Sequence, residues 1–142
     1  MEVRGNLLEA SEKYIVHQCN CKTTTPKGLS EQIFKKFPYA NVYHEARTPG
    51  TIKICGNGKD KRFVVSLFAQ NGPGKPTSKE TARQREKWFA KCLTELVNTI
   101  PKDSTVAFPS GVGCGLAGGD WSHYLNMIEQ FADFDPTTIY KL

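Results

Sequence analysis

The segment 105–131, TVAFPSGVGCGLAGGDWSHYLNMIEQF, constrains the fold of this chain more than any other. The apolar run 106–108 predicts a short buried strand, and five glycines follow between positions 111 and 119. Glycine adopts positive φ angles without steric cost and lets the backbone approach a ligand closely. Apolar residues then recur at the spacing of a buried helical face: Tyr124, Leu125, Ile128 and Phe131. Because helical N–H groups and the positive end of the helix dipole face such a turn, the segment predicts a phosphate site.

Other interpretations of the glycine run are weaker. Residues 113–118 match the dinucleotide fingerprint GxGxxG, but that motif opens a βαβ unit that continues with further strands, and only 24 residues follow Gly118. The chain contains no GxxxxGK[ST] motif, and Cys114 has Asp120 where a cysteine phosphatase has an arginine. A flexible surface loop is the plain alternative. We interpret the run as a phosphate turn that closes a domain, with Cys114 either packing or activated by the helix N-terminus.

Length and composition limit the class of protein. A chain of 142 residues predicts one domain. It has no signal-peptide pattern and no apolar run near the ~18 residues of a membrane helix, so we expect a cytoplasmic or nuclear protein without a membrane partner. Five cysteines without a paired framework indicate a reducing compartment. The net charge is +5, but the basic residues are dispersed, which fits a phosphorylated small molecule and disfavours nucleic acid.

The other segments predict alternating strands and helices. Strands are expected at 1–4, 13–19, 51–55, 62–68 and 138–142, and helices at 29–37 and 77–98. Thr77 and Glu80 match a capping box at the start of the second helix, and GNGKD at 56–60 predicts the turn of a hairpin. This order predicts a mixed sheet with one antiparallel pair, sandwiched by helices.

Three loops should meet where the parallel strands end, after Cys19, Phe68 and Phe108, because α/β proteins bind ligands at the carboxyl ends of their strands. Asn20 follows the first of these strands, and its amide can both donate to and accept from a sugar hydroxyl. Gln70 follows the second strand and either binds a ligand or shapes the turn.

Some titratable residues allow a structural and a chemical interpretation. His17, Cys19 and Cys21 alternate along one face of a strand, but a zinc site needs four ligands in recognisable pairs, so we expect no metal. The cysteines then pack in the core. His17 is either a core histidine or a proton carrier near neutral pH. Asp120 is either the N-cap of the last helix, which we favour, or a general base.

Three motifs together carry a family resemblance: GNLL at 5–8, IVHQCNC at 15–21 followed by GLSEQIFKKF at 28–37, and FPSGVGCGLAGGDW at 108–121. In this order they resemble a macro domain of the ADP-ribose-binding superfamily, most closely its ADP-ribose-1″-phosphate phosphatases and terminal ADP-ribose glycohydrolases. The resemblance spans nearly the whole chain. It implies a single macro domain over 1–142, an α/β/α sandwich with a mixed, mostly parallel sheet. It also implies ADP-ribose across the strand ends, and no cofactor.

The resemblance implies roles for particular residues. Asn6 stands in the place of the aspartate that reads the adenine amino group, and Asn20 matches the asparagine on the distal ribose. The phosphatases' catalytic histidine falls on His17. The lysine of the glycohydrolases falls on Gln70 or Ala69, with Lys75 as a nearby alternative, and their aspartate falls on Ala117. The implied ligand-binding residues are Asn6, Leu7, Cys19, Asn20, Gly28, Leu29, Gln70, Gly113, Cys114, Gly115, Leu116, Ala117 and Gly118.

The predicted function is hydrolysis of ADP-ribose 1″-phosphate or a related ADP-ribosyl ester, with His17, Asn20 and Asp120 as the catalytic candidates. The alternative is a reader, a module that binds ADP-ribose or ADP-ribosylated protein without chemistry. Loss of the glycohydrolase lysine and aspartate favours the reader, whereas His17 favours the enzyme. We expect the chain to be a monomer.

Overall fold

The computed structural model describes residues 1–56 and 62–142. In chain order its elements are β1 (Glu2–Arg4), β2 (Tyr14–Gln18), α1 (Leu29–Lys36), β3 (Ile52–Gly56), β4 (Phe63–Leu67), α2 (Ala82–Thr99), β5 (Val106–Pro109), α3 (Trp121–Phe131) and β6 (Thr137–Lys141). Short 3-10 turns lie at Leu7–Glu9 and Pro38–Ala40. The predicted order of strands and helices is confirmed. Residues 57–60 of the predicted hairpin turn lie outside the described residues.

The six strands form one sheet in the order β1-β6-β5-β2-β4-β3. The β3–β4 pair is antiparallel, and the other described pairs are parallel. Strand β2 lies between β4 and β5, with Val16 opposite Val65 and Ile15 opposite Ala107. The carboxyl ends of β2, β4 and β5 are therefore adjacent at the centre of the sheet. This confirms the mixed, mostly parallel sheet and brings the three predicted loops together.

Each face of the sheet is covered by helices, which completes the α/β/α sandwich. Val16 and Phe108 pack in the core on the side of α2 and α3. Ile15 and Ala107 pack in the core on the side of α1. A central parallel strand buried on both faces needs a continuous apolar run, which explains the composition of β2. In the described part of the chain, no helix combines the length and the apolar character that a bilayer crossing requires.

The start of α2 differs from the predicted capping box. The N-cap is Thr81, whose Oγ1 accepts a hydrogen bond from Gln84 N. Thr77 Oγ1 accepts from Glu80 N and closes a separate turn. The Glu80 carboxylate does not reach back to Thr77, because it accepts hydrogen bonds from the N–H groups of Asn71 and Gly72 in the loop after β4. A contact with another loop has replaced the local cap.

Candidate functional site

A cleft of about 690 Å³ lies at the carboxyl ends of β2, β4 and β5. It is lined by His17, Gln18, Asn20, Thr23, Thr25, Lys27, Gly28, Leu29, Ser30, Tyr43, Gln70, Pro73, Gly74, Pro109, Ser110, Gly111, Val112, Gly113, Cys114, Gly115, Leu116 and Ala117. Among the described residues, the lining contains no Asp or Glu, and Lys27 is the basic lysine side chain in it. Of the predicted ligand-binding residues, nine line the cleft: Asn20, Gly28, Leu29, Gln70, Gly113, Cys114, Gly115, Leu116 and Ala117.

The glycine-rich turn between β5 and α3 has several backbone N–H groups without a hydrogen-bond partner in the described chain. Its carbonyl oxygens are paired inside the protein at Gly111, Gly113, Gly115 and Ala117. Within the described residues, no acceptor is found for the backbone N–H groups of Gly113, Gly115, Leu116 and Ala117. All four residues line the cleft. A row of unpaired N–H groups next to the start of a helix is an arrangement that binds anions.

Particular glycines are required for this turn. Gly113 has φ +76°, and a Cβ there would lie 2.7 Å from the Tyr124 ring. A Cβ on Gly119 would lie 2.5 Å from the Gly113 carbonyl oxygen. Gly115 differs, because a Cβ there would meet no atom within 4 Å. The turn is therefore packed tightly at its base and open where it faces the cleft.

Leu116 at the tip of the turn reaches the opposite wall of the cleft. Its side chain is 67% exposed, and its Cδ1 would lie 3.2 Å from a Cβ built on Gly28. Gly28 has φ +61° and is the N-cap of α1. The glycine at this position therefore accommodates both an unusual backbone conformation and a close side chain from the turn.

The loop after β2 is shaped by Asn20 and held by Arg47. Asn20 Oδ1 accepts from the backbone N of Lys22 at 3.0 Å and of Thr23 at 2.9 Å. The Nδ2 atom of the same amide has no hydrogen-bond partner in the described chain. Arg47 Nη1 donates to the Asn20 carbonyl at 3.0 Å, and its guanidinium lies over the Tyr43 ring at 4.4 Å. The amide nitrogen of Asn20 is thus the group that this side chain can offer to a ligand.

His17 forms part of the cleft floor but is only 1% exposed. Its Nδ1 lies 2.9 Å from Ser30 Oγ, and its Nε2 lies 3.0 Å from Ser66 Oγ. Burial lowers the pKa of His17 to about 3, so the imidazole is neutral at physiological pH. Both ring nitrogens already have partners. This geometry favours the core-histidine interpretation, and a catalytic role for His17 stays a prediction.

The cysteines near the cleft are protonated thiols. Burial raises the pKa of Cys19 to about 12, and Cys19 packs in the core. Burial, together with Asp120 and Glu86, raises the pKa of Cys114 to about 11. The activation that a helix N-terminus can give to a thiol is therefore not supported for Cys114. The described residues also contain no group of three or more His, Cys, Asp or Glu side chains that could hold a metal ion.

Five predicted site residues do not line the cleft: Asn6, Leu7, Cys19, Gly118 and Asp120. Asn6 Oδ1 accepts from Leu8 N and caps a 3-10 turn, and Leu7 is buried beside it. Asp120 is the N-cap of α3 and accepts from Ser122 N at 3.0 Å. The structure therefore agrees with the interpretation of Asp120 as the N-cap of α3.

Sequence reasoning missed several lining residues, among them Gln18, Tyr43 and Lys27. Gln18 Nε2 donates to Gln70 Oε1 at 2.7 Å, and Gln70 Nε2 donates to the Gly72 carbonyl at 3.0 Å. The Gln70 amide is therefore engaged in shaping the loop. Gln18 lies inside the motif at 15–21 and Lys27 directly precedes the motif at 28–37, which was an available signal. Tyr43 lies in a segment without periodicity, and no local pattern indicates it.

The fold and the three-loop cleft define the class: an α/β/α domain with a cleft at the carboxyl ends of its central parallel strands, where α/β proteins bind ligands. No protein-family model and no curated protein sequence matches the chain. Among solved structures, a protein of unknown function from Bacteroides thetaiotaomicron aligns with TM-score 0.77 and 25% identity, covering 100% of this chain and 97% of that one.

Two structures of named proteins are also similar. The macrodomain of Mycobacterium tuberculosis DarG aligns with TM-score 0.72 and 21% identity, covering 99% of this chain and 97% of that one. Thermosipho africanus DarTG in complex with ADP-ribose aligns with TM-score 0.70 and 16% identity, covering 99% of this chain and 41% of that one. This chain has the macrodomain fold.

Proposed function

We propose that this chain binds ADP-ribose in the three-loop cleft, with the diphosphate on the glycine-rich turn. The observation that carries the proposal is the set of unpaired N–H groups of Gly113, Gly115, Leu116 and Ala117. An anion that accepts these hydrogen bonds satisfies groups that have no protein partner. The structure of Thermosipho africanus DarTG with ADP-ribose has the same fold and supports this choice of ligand.

The charge of the lining agrees with an anionic ligand. In the described part of the chain, no carboxylate lines the cleft to repel a diphosphate, and Lys27 on the loop before α1 adds a positive charge. Asn20 Nδ2 and the hydroxyl groups of Thr23 and Thr25 can hydrogen-bond ribose hydroxyls. The cleft therefore offers electrostatic binding for the diphosphate and polar groups for a sugar.

Hydrolysis of ADP-ribose 1″-phosphate or a related ADP-ribosyl ester is the second candidate. The observation in its favour is that His17 and Asn20, from the motif that resembles the phosphatases, both line the cleft. The low pKa of His17 opposes a simple role as proton carrier. We therefore place the reader function first, with ADP-ribose or ADP-ribosylated protein as its partner.

One pair of measurements separates these functions. Calorimetric titration with ADP-ribose should give saturable binding, and incubation with ADP-ribose 1″-phosphate followed by an assay of free phosphate reports hydrolysis. Binding without phosphate release supports the reader, and binding with release supports the phosphatase. If ADP-ribose does not bind at millimolar concentration, the proposed ligand is wrong. A Gly113→Val variant is the control for binding at the turn, because its side chain would collide with the Tyr124 ring at the base of the turn.

A further inference from the structure

A buried arginine lies behind the glycine-rich turn without lining the cleft. Arg85 on the first turns of α2 is 2% exposed, although neighbouring Arg83 is exposed. A charged side chain is rarely buried unless it is paired and fully hydrogen-bonded. Arg85 meets this condition through contacts with two of the loops that form the cleft.

The charge of Arg85 is balanced by Glu80. Arg85 Nε donates to Glu80 Oε2 at 2.7 Å, and the side chain of Glu80 is 14% exposed. The same carboxylate accepts from Asn71 N at 3.0 Å and from Gly72 N at 2.9 Å. Burial alone raises the pKa of Glu80, but the hydrogen bonds from Gly72, Arg85 and Asn71 together lower it. The ion pair thus fixes the beginning of the loop after β4.

The other nitrogens of Arg85 join that loop to the glycine-rich turn. Nη1 donates to the Gly74 carbonyl at 2.6 Å and to the Ala117 carbonyl at 3.2 Å. Nη2 donates to the Gly72 carbonyl at 3.2 Å. Gly74 and Ala117 both line the cleft. One planar guanidinium therefore binds acceptors on two walls of the site, which the single ammonium of a lysine cannot reproduce.

We infer that Arg85 is a positioning residue for the anion site, acting through Ala117 and the loop after β4 without touching the ligand. This inference rests on the proposed function. The peptide unit between Ala117 and Gly118 is fixed at both ends, because Arg85 binds its carbonyl and Gly118 N donates to the Gly115 carbonyl. Without Arg85 the Ala117 carbonyl loses its buried partner and is free to turn toward the cleft. An acceptor would then lie among the unpaired N–H groups that we propose bind the anion.

Arg85→Lys and Arg85→Met test the inference, with Arg83→Lys on the same helix as the matched control. Affinity for ADP-ribose is compared with affinity for adenosine, which has no phosphate. Arg85→Lys and Arg85→Met should weaken ADP-ribose binding about tenfold, which corresponds to the loss of roughly one charge-assisted hydrogen bond between the turn and the anion. The same variants should change adenosine binding less than about twofold. Arg83→Lys should bind both ligands as the wild type does. Equal ADP-ribose affinity in all variants, or equal losses for both ligands, overturns the inference.

A second readout needs no ligand. Amide hydrogen exchange and chemical shifts of Gly115, Leu116 and Ala117 in the free protein should change in the Arg85 variants and not in Arg83→Lys. If Arg85→Met does not fold, Glu80→Gln gives a milder loss in the same direction, because it removes the charge that holds the guanidinium. Unchanged exchange of the turn in Glu80→Gln and Arg85→Lys contradicts the inference. Failure of the wild type to bind ADP-ribose refutes the proposed function instead.

Discussion

Acidification should destabilise this protein through His17. Burial lowers the pKa of its imidazole to about 3 in the folded chain, against ~6.5 in an unfolded chain. Between these values the unfolded chain binds one more proton than the folded chain, so stability falls as the pH drops below about 6.5. One pKa unit corresponds to about 1.4 kcal/mol. Between pH 8 and pH 5 this histidine alone should therefore remove about 2 kcal/mol from a total of ~5–15 kcal/mol.

Urea unfolding at pH 8 and pH 5 measures this effect in the wild type and in His17→Gln. The variant loses contacts with Ser30 and Ser66 at both pH values, so the comparison uses only the change between them. That change should be about 2 kcal/mol smaller in His17→Gln. His123→Gln is the control because His123 is the opposite case to His17. It is exposed beside Glu86, and its pKa is raised rather than lowered, mainly by the hydrogen bond to Glu86.

An equal pH effect in the wild type and His17→Gln would refute this reasoning. The folded protein would then accept a proton on His17 at much the same pH as the unfolded chain. Burial would not be holding the imidazole neutral. In that event a proton-carrying role for His17 in hydrolysis would regain its physical basis.

Two further predictions concern the glycine-rich turn and the lining of the cleft. Gly119→Ala should destabilise the protein by about 1–3 kcal/mol, because the added Cβ would collide with the Gly113 carbonyl oxygen. Gly115→Ala should change stability by less than about 0.5 kcal/mol. Urea unfolding measures both variants, and equal losses of stability would contradict the described packing. Lys27→Gln should weaken ADP-ribose binding about two- to fivefold at low salt, and the difference should disappear near ~0.5 M salt because exposed charges are screened. Calorimetry measures this against Lys22→Gln, which is on the same loop but outside the cleft lining; a salt-independent loss, or the same loss in both variants, would assign Lys27 another role.

Most of the fold is predictable from the sequence because its patterns are local and mutually consistent. The apolar run of β2 predicts a strand buried on both faces, and the spacing of Phe89, Cys92 and Leu96 predicts the inner face of α2. The start of α2 was not predictable in this way. Thr77 and Glu80 satisfy the capping pattern, but the Glu80 carboxylate binds a loop and Arg85 instead. A short sequence pattern does not show whether a side chain will bind a local or a distant partner.

The candidate site was predictable in part, for the same reason. The glycine run indicates the turn, since positive φ angles and close backbone contacts restrict the choice of residue. Arg85 was missed because a charged residue is expected at the surface. Its position four residues before Phe89 and seven before Cys92 places it on the apolar face of α2, and this was the available signal. Asn6 illustrates the opposite case: the resemblance implies a ligand contact, whereas the structure shows a cap outside the cleft lining, so the ligand contact stays a prediction.

The chemistry of the lining bears on the choice between binding and hydrolysis. Hydrolysis of a phosphate ester needs a group that takes a proton from water near neutral pH. His17 is neutral, but both its nitrogens are paired, and the raised pKa of Cys114 keeps that thiol protonated. No carboxylate lines the described cleft. Its other polar groups are backbone N–H donors, amides, hydroxyls and Lys27, which bind anions and sugars. A water that attacked ADP-ribose 1″-phosphate here would therefore have to pass its proton to the substrate's own phosphate oxygen, whereas binding alone needs nothing that the cleft lacks.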